Sequence, residues 1–507
     1  MTGRNRTVGE PNEQNETHPA DIVFDWNKSL TASFTGEEIT TDAGVMLLRD
    51  VDEALGLTRS LASGLCDSRD PAFTTHPLAQ LLRERLYMVA LGYEDTNDAR
   101  TMRNDPALKL AVRGAGAESF RAPLGSQPTI SRLEHEILLP KDADGKLTAD
   151  ALRNLETLED APLRWIETVA KKHSTPERLV LDVDSTEDTV HGKQEGAAYN
   201  TYFGNMAYHP LYAHLGDGMG DLVKAKLRPG NVYTSNGVVE FTEPLVPRLL
   251  AMTRALHVRG DSGFAIPEYF ANLEAHDESA QREGKRVSYT IKLKWNAVLG
   301  RLAEPHLTRD VGRPPNHVVE RFVELRYKAD GWPRERRVVL LVKFTPGELL
   351  PDTSFIVTNE PIEKASGEAV YAFYRRRGDD SENRIKEIKS DIKSGRTSCR
   401  SFDSNRVRLA FACLAYQLAH WTRTLGRKPG SKNEDPPAHA PTISALQLLV
   451  LKIGARLLLH ARRAHLLMAS SSTAQSLFHA IRSRIQVVAS AAVGSLIRVP
   501  LNCVRTA

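Results

Sequence analysis

Three acidic residues in this chain stand where carboxylates can converge on a cation: Asp184 in LDVDST, Asp261 in RGDSGF and Glu382 in DDSENRIKEIK. Asp184 closes an apolar run, Asp261 closes a second one, and Glu382 falls in the first turn of a helical segment. No thiol or histidine cluster accompanies them, so the donor set favours a hard, oxygen-seeking ion such as Mg²⁺ or Mn²⁺. Two such ions would activate a water or hydroxyl and stabilise the leaving oxygen of a phosphodiester. Taken singly, each acid also has a structural reading. Asp184-Ser-Thr can be a strand-end turn or a helix cap, and Gly-Asp-Ser-Gly is ordinary loop chemistry. Asp182 rivals Asp184, because two residues along a strand keeps the same face; Asp184 is preferred as nearer the strand end.

Around Glu382 the spacing is equally suggestive. Lys386, Lys389 and Lys393 follow at helical intervals on its face, and Ile385, Ile388 and Ile392 form an adjacent apolar seam. Just upstream stand Tyr374, Arg375, Arg376 and Arg377, an aromatic ring and three guanidiniums suited to phosphate oxygens. A solvated, salt-bridged helix is the competing reading of this segment.

The elements that must position these groups can be read from apolar patterning. ERLVLDVDSTED has the profile of a buried strand. AYHPLYAHLGDG and DLVKAKLRPGN give two short strands, VVEFTEPLVPRLLAM a helix, RALHVRGD a strand, FAIPEYFANLEAH a helix and RVSYTIKLKW a strand. That succession describes an α/β fold, the start of an RNase H-like core (residues 175–300). A β-rich stretch spans 301–362, including a hairpin with its turn near Lys328–Gly331, and two helical segments follow within 363–426. Asp184 and Asp261 then lie at neighbouring ends of a parallel sheet, where α/β sites form. Residues 1–20 read as a disordered tail and 21–150 as a mostly helical, DNA-binding region. Within it PLAQLLRERLYMVALG carries Leu78, Leu81, Leu82, Leu86 and Val89 on one face. GSQPTISRLEHEI, with Ser126 as N-cap and Pro128 in the first turn, fits either an ordinary capped helix or the second helix of a helix-turn-helix. A linker (427–442) and a basic, Leu-rich, helical region (443–507) close the chain.

Composition bounds the class. With 507 residues, 26% charged and 41% hydrophobic, the chain is ordinary globular material for more than one domain. No apolar run reaches the ~18–20 residues of a membrane span, and the polar start is no secretory signal. The four cysteines match no zinc spacing, and their scarcity fits a reducing cytosol, so a cytoplasmic, nucleoid-associated protein is expected. The net charge of +4 hides an asymmetry. From Pro436 onward there are eight basic residues and no acid, which leaves 59 basic against 63 acidic residues before it. Such a tail suggests a polyanion partner, or else a solvated basic face.

LDVDST, HGKQEGA (191–197), LRPGN (227–231), RGDSGF (259–264) and YRRRGDDSENRIKEIK (374–389) occur in this order, and together they resemble the DDE transposases of bacterial insertion sequences, most closely insertion sequence family 1380. SQPTISRLE (126–134) and LLVLKIGAR (448–456) extend the resemblance toward both ends. It implies a catalytic and metal-binding triad of Asp184, Asp261 and Glu382 holding two ions, with the family's Tyr, Arg, Glu and Lys signature on Tyr374, Arg377, Glu382 and Lys389. One departure stands out: four residues separate Arg377 from Glu382 where the family has three. The resemblance further implies an RNase H-like core with a β-strand insertion and cut-and-paste transposition. In that reaction each transposon end is hydrolysed and the freed 3′-hydroxyl attacks target DNA. The expected partners are terminal inverted repeats, target DNA and a second protomer. Related enzymes form a DNA hairpin with a flipped base on Trp, which makes Trp295 and Trp332 candidates beside the DNA-binding Lys386 and Lys389. A transposase-derived DNA-binding protein without catalysis is the alternative.

Overall fold

The computed structural model describes residues 22–24, 27–32, 38–114, 122–172, 176–309, 311–312, 315–426, 441–460 and 463–490. The expected disordered tail (1–20) and nearly all of the expected linker (427–442) lie outside these residues.

An eight-stranded mixed sheet organises the molecule. Its strands are β1 (Arg178–Ser185), β2 (Leu211–Leu215), β3 (Leu222–Lys226), β4 (Ala255–Gly260), β5 (Arg286–Leu293), β6 (Val319–Tyr327), β7 (Arg336–Phe344) and β8 (Asp352–Thr358), in the spatial order β6-β7-β8-β5-β4-β1-β2-β3. β4 runs parallel to both β1 and β5, and every other neighbouring pair is antiparallel. The central strands are apolar on both faces, as strands covered on both sides must be. Leu179, Leu181, Val183, Leu256, Val258, Val287 and Ile291 are all buried.

The β-rich stretch is no separate body. β8 pairs with β5, and β7 and β6 follow, so the insertion continues the main sheet. Helices α1 (Leu245–Leu250), α2 (Pro267–Arg282) and α3 (Ala297–Ala303) come earlier in the chain, and the outer strands support helix α4 (Gly367–Arg377). Val370 and Tyr371 pack on Val339, Leu341 and Ile356. The Tyr371 hydroxyl donates to the Ser354 carbonyl at 2.5 Å, and Arg375 pairs with Glu320 of β6 at 2.6 Å. A π-helical turn, Gly378–Glu382, joins α4 to α5 (Asn383–Ser390), and α6 (Phe402–Leu425) follows. Nearly all of α6 is buried, which fits its weak apolar periodicity.

The amino-terminal region is mostly helical, as its patterning indicates. Ser126 occupies an N-cap position, but its hydroxyl meets Thr129 Oγ1 at 2.9 Å rather than a backbone N–H. That helix continues into a π turn, Leu133–Ile137, whose buried Glu134 takes Arg85 at 2.7 Å and Arg408 of α6 at 2.8 Å. The acid anchors the segment inward. Glu134, His135 and Cys399 cluster, but both Glu134 oxygens are held by guanidiniums and His135 Nδ1 meets Ser404.

The closing region departs from the helical expectation. Ala455–His460 and Arg463–Met468 form a hairpin, and its first strand pairs with Ile39–Thr40; a helix, Gln475–Ser490, comes after. An available edge partner overrode the helical propensity of a Leu-rich run. Part of its basic charge is spent internally: Lys452 pairs with Asp42 at 3.1 Å, and Arg484 donates to the Leu425 carbonyl. Among the described residues, no helix is long and apolar enough to cross a membrane.

One buried ion pair fastens the centre of the sheet. Arg259 of β4 lies opposite Asp182 of β1, and its Nε and Nη2 donate to the two carboxylate oxygens at 2.6 and 2.7 Å. Both side chains are fully buried. Gly216 is required beside them, because a Cβ there would stand 2.4 Å from Asp182 Oδ2 and 2.5 Å from Arg259 Nη2. Arg259→Ala would strand a buried carboxylate and should cost about 3–5 kcal/mol. Urea unfolding should show this as a clearly lower midpoint, with much of the loss recovered when Asp182→Leu and Arg259→Met are combined. A wild-type midpoint for Arg259→Ala would remove the pair from the account of stability.

Candidate active site

β1 and β4 deliver two of the three acids in register. Gly260 pairs with Val183, so Asp261 and Asp184 each stand one residue beyond the last matched pair. Asp184 is mostly buried; its Oδ1 accepts from the Ser185 N–H at 2.8 Å and its Oδ2 receives Arg377 Nη2 at 2.8 Å. Asp261 caps the short turn Ser262–Phe264, accepting from the Gly263 N–H at 2.8 Å. Glu382 is exposed at the end of the π turn. A wide opening of about 570 Å³ is lined by Asp184, Ser185, Thr186, Glu382, Lys386 and Lys389. Asp184 is pushed up to about 6, first by burial and then by the charges of Asp261 and Glu382, while Arg377 opposes the rise. All three acids therefore share one electrostatic neighbourhood. They offer only oxygen donors, a set that fits a hard divalent ion.

Asp182 is a different kind of residue. Both its oxygens are committed to Arg259, so Asp184 is the carboxylate of β1 that faces the opening.

A π turn carries the chain from Arg377 to Glu382. A single π turn accommodates one residue more than an α turn. Four intervening residues thus span one wide turn, and Arg377 and Glu382 both stay on the site's side. Arg377 is buried against Asp184, a position for orienting that carboxylate. Its neighbour Arg376 is exposed, 3.6 Å from Asp217. Tyr374 is partly buried within range of the charges of Asp261 and Asp184, and burial lifts its hydroxyl to about 12. Lys389 Nζ donates to Thr186 Oγ1 at 3.0 Å and to the Glu187 carbonyl, tying α5 to the segment after β1. Lys386 is exposed at the opening. Lys393 does not continue the stripe: α5 ends at Ser390, and Lys393 takes a φ of 59° and pairs with Glu94 at 3.1 Å.

The two tryptophans separate. Trp332 is 6% exposed, wedged between Phe270 and Tyr327 with Arg336 over its ring, so it offers no free face to a base. Trp295 is 61% exposed and lies against Gly300.

Sequence reasoning missed His209 and Arg259. His209 Nδ1 meets the Val232 carbonyl at 3.0 Å and Nε2 meets Ser185 Oγ at 3.1 Å, next to Asp184. Arg259 carried a readable signal. It precedes Asp261 by two residues, as Asp182 precedes Asp184, and equal offsets on paired parallel strands bring the two side by side.

A family model described as "Transposase DDE domain, group 1" matches residues 23–490. No curated protein matches the chain. Among solved structures, a piggyBac transposase synaptic complex with hairpin DNA, determined by cryo-electron microscopy, is similar at 12% identity. That match covers 82% of this chain and 80% of the other, with a TM-score of 0.36.

If the π turn merely absorbs an added residue, deleting Asp380 should let the segment wind as α-helix and keep Arg377 on Asp184. The deletion variant should melt within a few degrees of the wild type. Collapse of its thermal stability would mean that the wide turn itself is required.

Proposed function

The chain belongs to the group 1 transposase DDE-domain family, and from that premise we propose that Asp184, Asp261 and Glu382 are its catalytic carboxylates, cutting transposon ends and joining them to target DNA. The observation that carries the reading is the registered placement of Asp184 and Asp261 at the ends of paired parallel strands, with Glu382 lining the same opening as Asp184. The strand order, with antiparallel β2 and β3 beside parallel β1, β4 and β5, supports an RNase H-like core extended by the β6–β8 insertion. The quoted motifs favour insertion sequence family 1380 within this family. Two divalent ions, Mg²⁺ or Mn²⁺, held by these acids would supply nucleophile activation and leaving-group stabilisation.

The remaining residues have supporting roles in this reading. Arg377 orients Asp184 and keeps it near ionisation, Tyr374 lines the same wall, and Lys386 offers a cation to the phosphate beside the scissile bond. Lys389 fixes α5 against β1 and stands within reach of that phosphate. Two transposon ends must be held together, so the productive complex contains at least two protomers, most simply with two-fold symmetry.

Asp184→Asn, Asp261→Asn and Glu382→Gln should each abolish metal-dependent cleavage of DNA bearing the element's inverted repeats while retaining DNA binding in a mobility-shift assay. Normal cleavage by all three would remove the assignment. Lys389→Ala should slow cleavage roughly tenfold to a hundredfold, the loss of one charge-assisted contact, and Arg376→Ala should cut at the normal rate.

The raised Asp184 value sets a pH dependence. Its carboxyl is protonated below about 6 in the metal-free fold, so protons compete with the ion there. Mn²⁺ affinity, measured calorimetrically, should weaken as pH falls through 6. Affinity flat down to pH 5 would contradict a site that includes Asp184.

A further inference from the structure

Tyr202 and Tyr233 are 87% and 82% exposed, yet the backbones that carry them are held by buried polar groups. Tyr202 sits on a turn in which Asn200 Oδ1 accepts from the N–H groups of Tyr202 at 3.0 Å and Phe203 at 3.3 Å. Tyr233 sits on a loop gripped by Arg228, whose Nη1 donates to the carbonyls of Tyr233, Thr234 and Asn236 at 3.4, 3.0 and 2.7 Å. Asn200 Nδ2 donates to the Gly230 carbonyl at 2.8 Å and joins the two loops. Gly230 permits the approach, because a Cβ there would lie 2.0 Å from the Ala207 carbonyl and 2.4 Å from that of Ala198. LRPGN thus builds a rigid mount under an exposed ring.

Both rings are one residue from a contact to His209. The Phe203 ring lies 5.4 Å from the His209 imidazole, edge to face, and the Val232 carbonyl is 3.0 Å from Nδ1. His209 in turn touches Ser185, the neighbour of Asp184. On the other side, Thr234 packs on Gly263 beside Asp261. The hairpin below Tyr202 borders a wide opening of about 720 Å³ whose lining includes Lys141, Lys193 and Arg400, with Glu195 the one acid among its lining residues. Exposed aromatic faces on a fixed mount, next to a cationic track and a carboxylate site, match the chemistry of unpaired nucleic acid, whose bases stack on tyrosine while its phosphates follow the cations.

We propose that Tyr202 and Tyr233 form a stacking platform for an unpaired base of the DNA strand entering the site, an inference that rests on the reading of that site as DNA-processing. It moves the aromatic platform from Trp332, which is buried, to the rim formed by the 200–204 turn and the 231–237 loop.

The test uses the full chain and two short duplexes of one sequence, one blunt and one with an unpaired overhang carrying 5-iododeoxyuridine. The wild type should prefer the overhang duplex by roughly fivefold to a hundredfold, the range of base–aromatic stacking. Irradiation should crosslink the iodinated base to Tyr202 or Tyr233. The combined Tyr202→Ala and Tyr233→Ala variant should lose the preference and bind the blunt duplex as before, and the corresponding Phe variant should keep it. A preference that survives in the Ala variant, or crosslinks that map to Trp295, would overturn the platform and leave the DNA-processing reading intact. Failure of the wild type to bind either duplex would overturn both.

Discussion

The buried pair between Arg259 and Asp182 is the constraint on which the rest of the site depends. Two charges in the middle of a sheet are tolerated only if each satisfies the other, and here both carboxylate oxygens and two guanidinium nitrogens are matched. The pair sits two residues before Asp184 on β1 and two before Asp261 at the end of β4, so locking it also locks Asp184 against Asp261. Its third nitrogen donates to the Phe373 carbonyl at 2.8 Å, and the guanidinium lies over the Phe373 ring. Four residues on, α4 brings Arg377 to Asp184. One arginine thereby sets the spacing of two acids and the reach of the helix that leads to the third.

The insertion acquires a role from the same geometry. Its strands extend the sheet beyond β5 and carry α4 on an apolar patch closed by the Tyr371 hydroxyl and the Arg375–Glu320 pair. From there the chain must cross back to β1, and the π turn makes the crossing with one residue to spare. Behind α5, Glu387 receives Arg423 of the buried helix α6, with Nη2 at 2.9 Å. The third acid is therefore held from both sides while its own carboxylate stays open.

Much of this was legible in the chain. LDVDST and RGDSGF each end an apolar run with an acid, and the strand and helix order that follows brings those ends together. The buried seam of Ile385, Ile388 and Ile392 was also readable from spacing. What escaped depended on contacts distant in sequence. Trp332 looked available until Phe270 and Tyr327 enclosed it. The Leu-rich closing segment looked helical, but Ile39–Thr40 offered it an edge. Lys393 fell on the right helical spacing, yet the helix stopped short of it and Glu94 claimed its charge. His209 gave no sign of proximity to Ser185, because the loop between β1 and β2 decides it.

The most direct measurement is where a bound metal cuts the protein itself. With Fe²⁺ in place of the native ion, ascorbate and peroxide generate hydroxyl radicals that break the backbone beside the metal. Three clusters of cuts are expected in the full-length chain, around Asp184, Asp261 and Glu382, all suppressed by excess Mg²⁺. Cuts confined to the Glu134, His135 and Cys399 cluster, or cuts near one acid without the other two, would contradict a site built from these three acids.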